Sequence, residues 1–204
     1  MHISDGVLSN EVMIACNVIA AVGAGLGLYN LDYEKIPRVG VFASAFFVAS
    51  LIHVNLGPSS VHLMLNGLLG IILGWAAFPA LAAALFLQAI ILGFGGVTSL
   101  GCNILNTALP AILCYYMFRG LCLNAKTHRA AVIWGGVAGA FGVIVTCATV
   151  ALSLYCSNAE AFSGAITAIL VGHIPVMVIE AIVVGATVGF LRKVRPEILK
   201  PSSN

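Results

Sequence analysis

Charge is what this chain most lacks. Asp, Glu, Lys and Arg make up 8% of its 204 residues, against about a quarter in an ordinary soluble domain. The formal net charge of +2 is too small to provide a field for nucleic acid, and no such partner is implied. Tryptophan occurs twice, which leaves little to line an aromatic cavity for an organic vitamin. No basic residue precedes Lys35, so the opening is not the basic-then-apolar pattern of a secretory leader. The six cysteines (Cys16, Cys102, Cys114, Cys122, Cys147, Cys156) form no CxxC and sit mostly in apolar runs, as small packing residues do. A Cys102–Cys156 disulfide would require both to lie outside the membrane. A phosphate loop is also missing. Gly120–Thr127, GLCLNAKT, has Lys126-Thr127 at the right offset, but Ala125 stands where the second glycine belongs and no strand precedes it. No residues are arranged for nucleophilic or acid–base catalysis. The chain is therefore expected to be neither an ATPase nor an enzyme, and to need no catalytic cofactor.

What fills the chain is apolar. Hydrophobic residues make up 61% and mean hydropathy is +1.09, which predicts a polytopic protein of the lipid bilayer. At about 20 residues per crossing the length holds six or seven helices. The expected fold is one all-α membrane domain of about seven spans. Residues 1–10 form an N-terminal loop, 11–192 the bundle and 193–204 a tail. The apolar runs read 11–29, 39–54, Ser59 or Ser60 to about Trp75, and Pro79–Phe94. The later ones are about 104–122 (kinked or broken near Pro110), 131–156 and 165–191, the last split by Pro175. Gly70/Gly74, Gly135/Gly139 and Gly185/Gly189 are spaced for close helix approach. With seven spans, all nine Lys and Arg fall on one side. The positive-inside rule then puts the N-terminus outside and the C-terminus in the cytoplasm.

The chemistry gathers at the beginning. Met1 should be retained, since His2 is a bulky neighbour for an initiator. The Met1 amine, the deprotonated His2 amide and His2 Nδ1 can form two fused chelate rings in one plane, a geometry that suits Ni(II) or Cu(II). His62, read as the first turn of the third helix behind GPSS, offers a fourth nitrogen, because a helix N-terminus disfavours imidazolium. Asn66, one turn on, could hydrogen-bond a ligand from behind. His53 at the end of the second span could be a cation or a neutral partner. Asp5 and Glu11 could orient the N-terminal loop. His173 also falls on the outer half, whereas His128 belongs with the cytoplasmic basic residues. Glu180, deep in an apolar run, is expected to hydrogen-bond another helix.

Four stretches together resemble the nickel/cobalt-binding membrane subunits (CbiM/NikM type) of energy-coupling factor transporters, which belong to the ABC class. They are MHISDGVLS, Ser50–Gly70 (SLIHVNLGPSSVHLMLNGLLG), Leu85–Pro110 (LFLQAIILGFGGVTSLGCNILNTALP) and Gly172–Gly185 (GHIPVMVIEAIVVG). The resemblance spans essentially the whole chain. It implies a subunit of the prokaryotic plasma membrane that captures Ni(II) or Co(II) outside, with Met1, His2 and His62 as ligands. It further implies a transmembrane coupling subunit, two cytoplasmic ATPases and often a small accessory membrane subunit as partners, with nickel enzymes or cobalamin synthesis served downstream. Phe94 departs from the family, which often carries histidine there. Two other readings remain open on the residues alone: a membrane-embedded metalloenzyme, and a vitamin-binding subunit of the same transporter class.

Overall fold

The structure, a computed structural model, describes residues 2–51, 53–56 and 59–199; the side chains of 53–61 lie outside that description. Helix α1 (Asn10–Tyr29) starts where Ser9 Oγ accepts from Val12 N at 3.4 Å, with Glu11 in the first turn. A 3₁₀ turn, Tyr33–Lys35, capped by Asp32, leads into α2 (Ile36–Leu51). Strands β1 (His53–Leu56) and β2 (Ser59–His62) pair antiparallel with His53 opposite His62. Then come α3 (Asn66–Leu73), a 3₁₀ turn at Gly74–Ala76, α4 (Ala77–Leu87) and a π turn at Gln88–Leu92. The rest is α5 (Leu100–Leu123), α6 (His128–Gly172), α7 (Ile174–Val194) and the short α8 (Pro196–Leu199).

Burial is inverted relative to a soluble protein. Ile144, Ile182 and Val18 face outward, while Asn66, Asn103, Asn106, Thr146 and Glu180 are inside. In lipid this is the favourable arrangement, since polar groups find partners only within the bundle. Among the described residues four stretches are long and apolar enough to cross a membrane: Asn10–Tyr29, Asn66–Leu92, Leu100–Leu123 and His128–Val194. The small residues set the helix spacing. A Cβ on Gly139 would stand 2.6 Å from the Glu180 carbonyl oxygen, and one on Gly185 2.8 Å from that of Val132, so α6 and α7 touch backbone to backbone.

Several expectations need correction. The third helix does not start at Ser59 or Ser60: those residues are in β2, and the helix begins at Asn66. The second helix ends at Leu51, so His53 opens a strand rather than closing a span. Pro110 sits buried within α5, which continues unbroken to Leu123. The polar stretch after 156 is not a loop. Asn158 alone leaves the helical region (φ −165°, ψ 96°), and its Oδ1 re-caps the chain by accepting from Ala161 N at 3.1 Å. His173 divides α6 from α7, leaving Pro175 in the first turn of α7, where its missing N–H costs nothing. All six cysteines are free thiols, with Cys102 buried and Cys156 exposed.

Candidate metal site

The N-terminal stretch does enter the bundle, and three sets of hydrogen bonds hold it there. Ile3 is buried, and Asn103 on α5 grips its peptide unit twice: Ile3 N donates to Asn103 Oδ1 at 2.8 Å and Asn103 Nδ2 donates to Ile3 O at 3.0 Å. Ser99 Oγ donates to the same carbonyl at 2.7 Å. Two residues on, the Asp5 carboxylate accepts from the backbone N–H of Val97, Thr98 and Ser99 and from the Thr98 hydroxyl. The Thr98 hydroxyl foremost, then the Ser99 and Val97 N–H groups, hold its pKa below the usual carboxylate value, so Asp5 stays ionised at neutral pH. The 93–99 turn is shaped to receive the stretch. Gly95 has φ +75°, and a Cβ there would meet Asn103 Nδ2 at 2.7 Å, displacing the amide that grips Ile3. Asp5 thus ties the N-terminal stretch to the 97–99 turn, while Glu11 lies in the first turn of α1.

This insertion carries His2 to His62. Their rings stack with centroids 5.2 Å apart and planes inclined by 29°. His62 is 5% exposed and reaches the site from the end of β2, so its neutrality cannot come from a helix N-terminus. Burial is the main cause: it holds His62 well below its ordinary pKa and lowers that of His2 to about 3.

Hydrogen bonds also fix which nitrogen of each ring is protonated. Ser50 Oγ donates to Phe47 O at 2.7 Å and accepts from Gln88 Nε2 at 2.7 Å, which turns Gln88 Oε1 toward His2. An amide oxygen only accepts, so His2 Nε2, 2.8 Å away, carries the proton and Nδ1 carries the lone pair. By the same argument, His62 Nδ1 donates to Leu63 O at 2.9 Å, making Nε2 the basic nitrogen of His62. Two neutral imidazoles, one basic at Nδ1 and the other at Nε2, are brought together.

Met1 lies outside the described residues, as does the His53 side chain. Asn66 is fully buried but turns away: its Nδ2 donates to Thr146 Oγ1 at 2.6 Å, tying α3 to α6. Phe94 packs against His2 at 5.7 Å, tilted by 41°, so the family departure lies next to the site. His173 is 2% exposed, with Nδ1 donating to Ile169 O at 2.7 Å. Glu180 finds its partner in the loop before α3 rather than, as expected, on another helix. Its Oε1 accepts from Met64 N and from Leu65 N (2.8 Å), holding the loop that links His62 to α3 and leaving Leu65 at φ +50°. Sequence reasoning missed Gln88, Ser99 and Asn103. Each is a polar residue in an apolar run, and that was the available signal. Among the described residues no three His, Cys, Asp or Glu side chains converge on one point.

A helical membrane protein with an imidazole pair held neutral by an inserted N-terminal stretch is built for cation chemistry. The family "CbiM: Cobalt uptake substrate-specific transmembrane region" matches residues 2–198, and the chain belongs to that family. It is therefore a substrate-specific membrane component for cobalt or nickel uptake. A Haemophilus influenzae protein described as a metal transport protein is 38% identical over 204 residues, covering 100% of this chain and 99% of the relative. The fused nickel transport protein NikMN of Rhodobacter capsulatus is 29% identical over 226 residues, covering 98% of this chain and 64% of that longer protein. The crystal structure of a transition metal transporter superimposes with TM-score 0.74 at 27% identity, covering 95% of this chain and 93% of the other.

Proposed function

We propose that this chain captures Ni(II) or Co(II) through four nitrogens: the Met1 amine, the His2 amide, His2 Nδ1 and His62 Nε2. The carrying observation is the pair of tautomers. Gln88 Oε1 holds His2 Nε2 and Leu63 O takes His62 Nδ1, so His2 Nδ1 and His62 Nε2 are the basic nitrogens that such a chelate would use. A planar nitrogen set favours Ni(II) over Zn(II), which prefers a tetrahedron.

On this reading seven crossings place the site outside and the chain's basic end in the cytoplasm. The ion passes inward in concert with a transmembrane coupling subunit and two cytoplasmic ATPases, with a small accessory membrane subunit in some assemblies. The absence of a phosphate loop supports an external ATPase. So does the clustering of basic residues at one end, where Arg192 donates to the Ala125 carbonyl at 2.5 Å and Arg38 to that of Ile198 at 3.5 Å. The test is nickel affinity of the purified chain by chelator competition. His62→Ala is expected to weaken binding by about 100-fold or more, since even residues behind the ligands are worth about 10–100-fold. Unchanged affinity would remove His62 from the site.

A further inference from the structure

One buried stripe of the bundle carries a nitrogen that the capture chelate does not use. Ile169, His173, Val176 and Glu180 are spaced four, three and four residues apart, and all are buried. His173 N donates to Ile169 O at 3.1 Å and Met177 N to His173 O at 2.9 Å, so helical spacing persists where α6 meets α7. The four residues therefore lie along one face. That face meets the loop that begins at His62. Ile3 and Met64 share one buried core with Ile169 and Val176, and Glu180 Oε1 accepts from Met64 N and Leu65 N. His173 lies between these contacts, close enough that a positive charge on it would oppose one on His62.

His173 is 2% exposed. Its Nδ1 donates to Ile169 O at 2.7 Å, so Nε2 carries the lone pair. Nε2 has no hydrogen-bond partner among the described residues. A buried polar atom left so is costly, and in a native fold it points to a water or an ion. A buried water needs two to four polar partners, whereas Ile169, Val176 and Met64 around this ring are apolar. A divalent transition metal needs only the lone pair and suits imidazole.

We propose that His62 and His173 form a second, two-imidazole position for the transported cation, filled when the N-terminal stretch withdraws. This rests on the four-nitrogen capture reading above. In the exchange His62 Nε2 keeps its bond, while the Met1 amine, the His2 amide and His2 Nδ1 leave. His173 Nε2 gives its lone pair in their place, and water fills the other positions. The departing His2 amide takes back the proton it lost on capture. Two imidazoles hold Ni(II) or Co(II) less tightly than the chelate does, as a position on the way to release requires.

The test is cobalt titration of the purified full chain by chelator competition, with absorption spectra. His2→Leu keeps a bulky second residue, and so Met1, but removes the first imidazole. That chain is expected to retain weak Co(II) binding, and adding His173→Asn should lower it by at least about tenfold. Asparagine keeps a donor for Ile169 O but offers no basic nitrogen. The same affinity and spectrum with and without His173→Asn, or no cobalt binding by the His2→Leu chain, would overturn the proposal. If the His173→Asn chain does not fold, X-ray absorption of cobalt-loaded His2→Leu/His53→Ala counts the bound imidazoles: two are expected, and one would overturn the proposal. Failure of the capture reading shows separately, as unchanged nickel affinity in His62→Ala, and would remove His62 from both positions.

Discussion

At the scale of single residues, the proposed site depends on side chains that would not touch the cation. Gln88 selects the His2 tautomer, and Ser50 selects the orientation of Gln88. Gln88→Leu keeps the size and removes the acceptor. It should lower nickel affinity by about 10–100-fold with little change in the absorption spectrum of the bound ion, as chelator competition would measure. The pH dependence follows from burial. The inserted His2, with its pKa lowered to about 3, takes no proton at pH 5 to 6, whereas a withdrawn His2 with an ordinary value of 6.5 does. Insertion is therefore fully favoured above pH 6.5 and weakens steadily as pH falls below it. Asp5 adds nothing to this loss until pH drops toward its own range, near or below 3.8. Nickel affinity should thus decline between pH 7 and 5; a flat profile across that window would count against the inserted arm.

At the scale of elements, the loop from Leu63 to Leu65 joins the site to the helix bundle. Glu180→Ala would leave the N–H groups of Met64 and Leu65 without their acceptor, at a cost of about 1–3 kcal/mol for each buried group. The variant should unfold at lower temperature in detergent and bind nickel more weakly, whereas Glu180→Gln, which keeps an acceptor oxygen, should restore much of both. This loop also marks where the sequence stopped being legible. Gly57-Pro58-Ser59-Ser60 resembles a helix start by every local rule. The helix begins instead at Asn66, after a left-handed Leu65 held by a carboxylate 115 residues away in sequence. No local pattern encodes that contact. The apolar runs, the glycine spacings and the candidacy of His2, His62 and Asp5 could be read, because each is written within a few residues. Gln88 was visible only as a misplaced polar residue, since its partners Ser50 and His2 lie far along the chain.

At the scale of the whole molecule, the two ends differ in kind. One gathers imidazoles, Asp5 and the α5 amides; the other gathers Lys35, Arg38, Arg119 and Arg192. If the basic end is cytoplasmic, Glu160→Cys in a background lacking the native cysteines should react with an impermeant maleimide in intact cells. Lys126→Cys in the same background should react only after permeabilisation. The reverse pattern would invert the topology.

The central claim is that the chelate uses the N-terminal amine and the first two residues as one unit. One glycine inserted between Met1 and His2 keeps every side chain and changes only the ring sizes and the register. Nickel titration of the purified chain, with and without that insertion, followed by absorption spectroscopy, tests it most directly. The account predicts a loss of affinity of about 100-fold or more, or a changed ligand-field spectrum, in the insertion variant. The same affinity and the same spectrum in both proteins would contradict it and remove the N-terminal amine from the site.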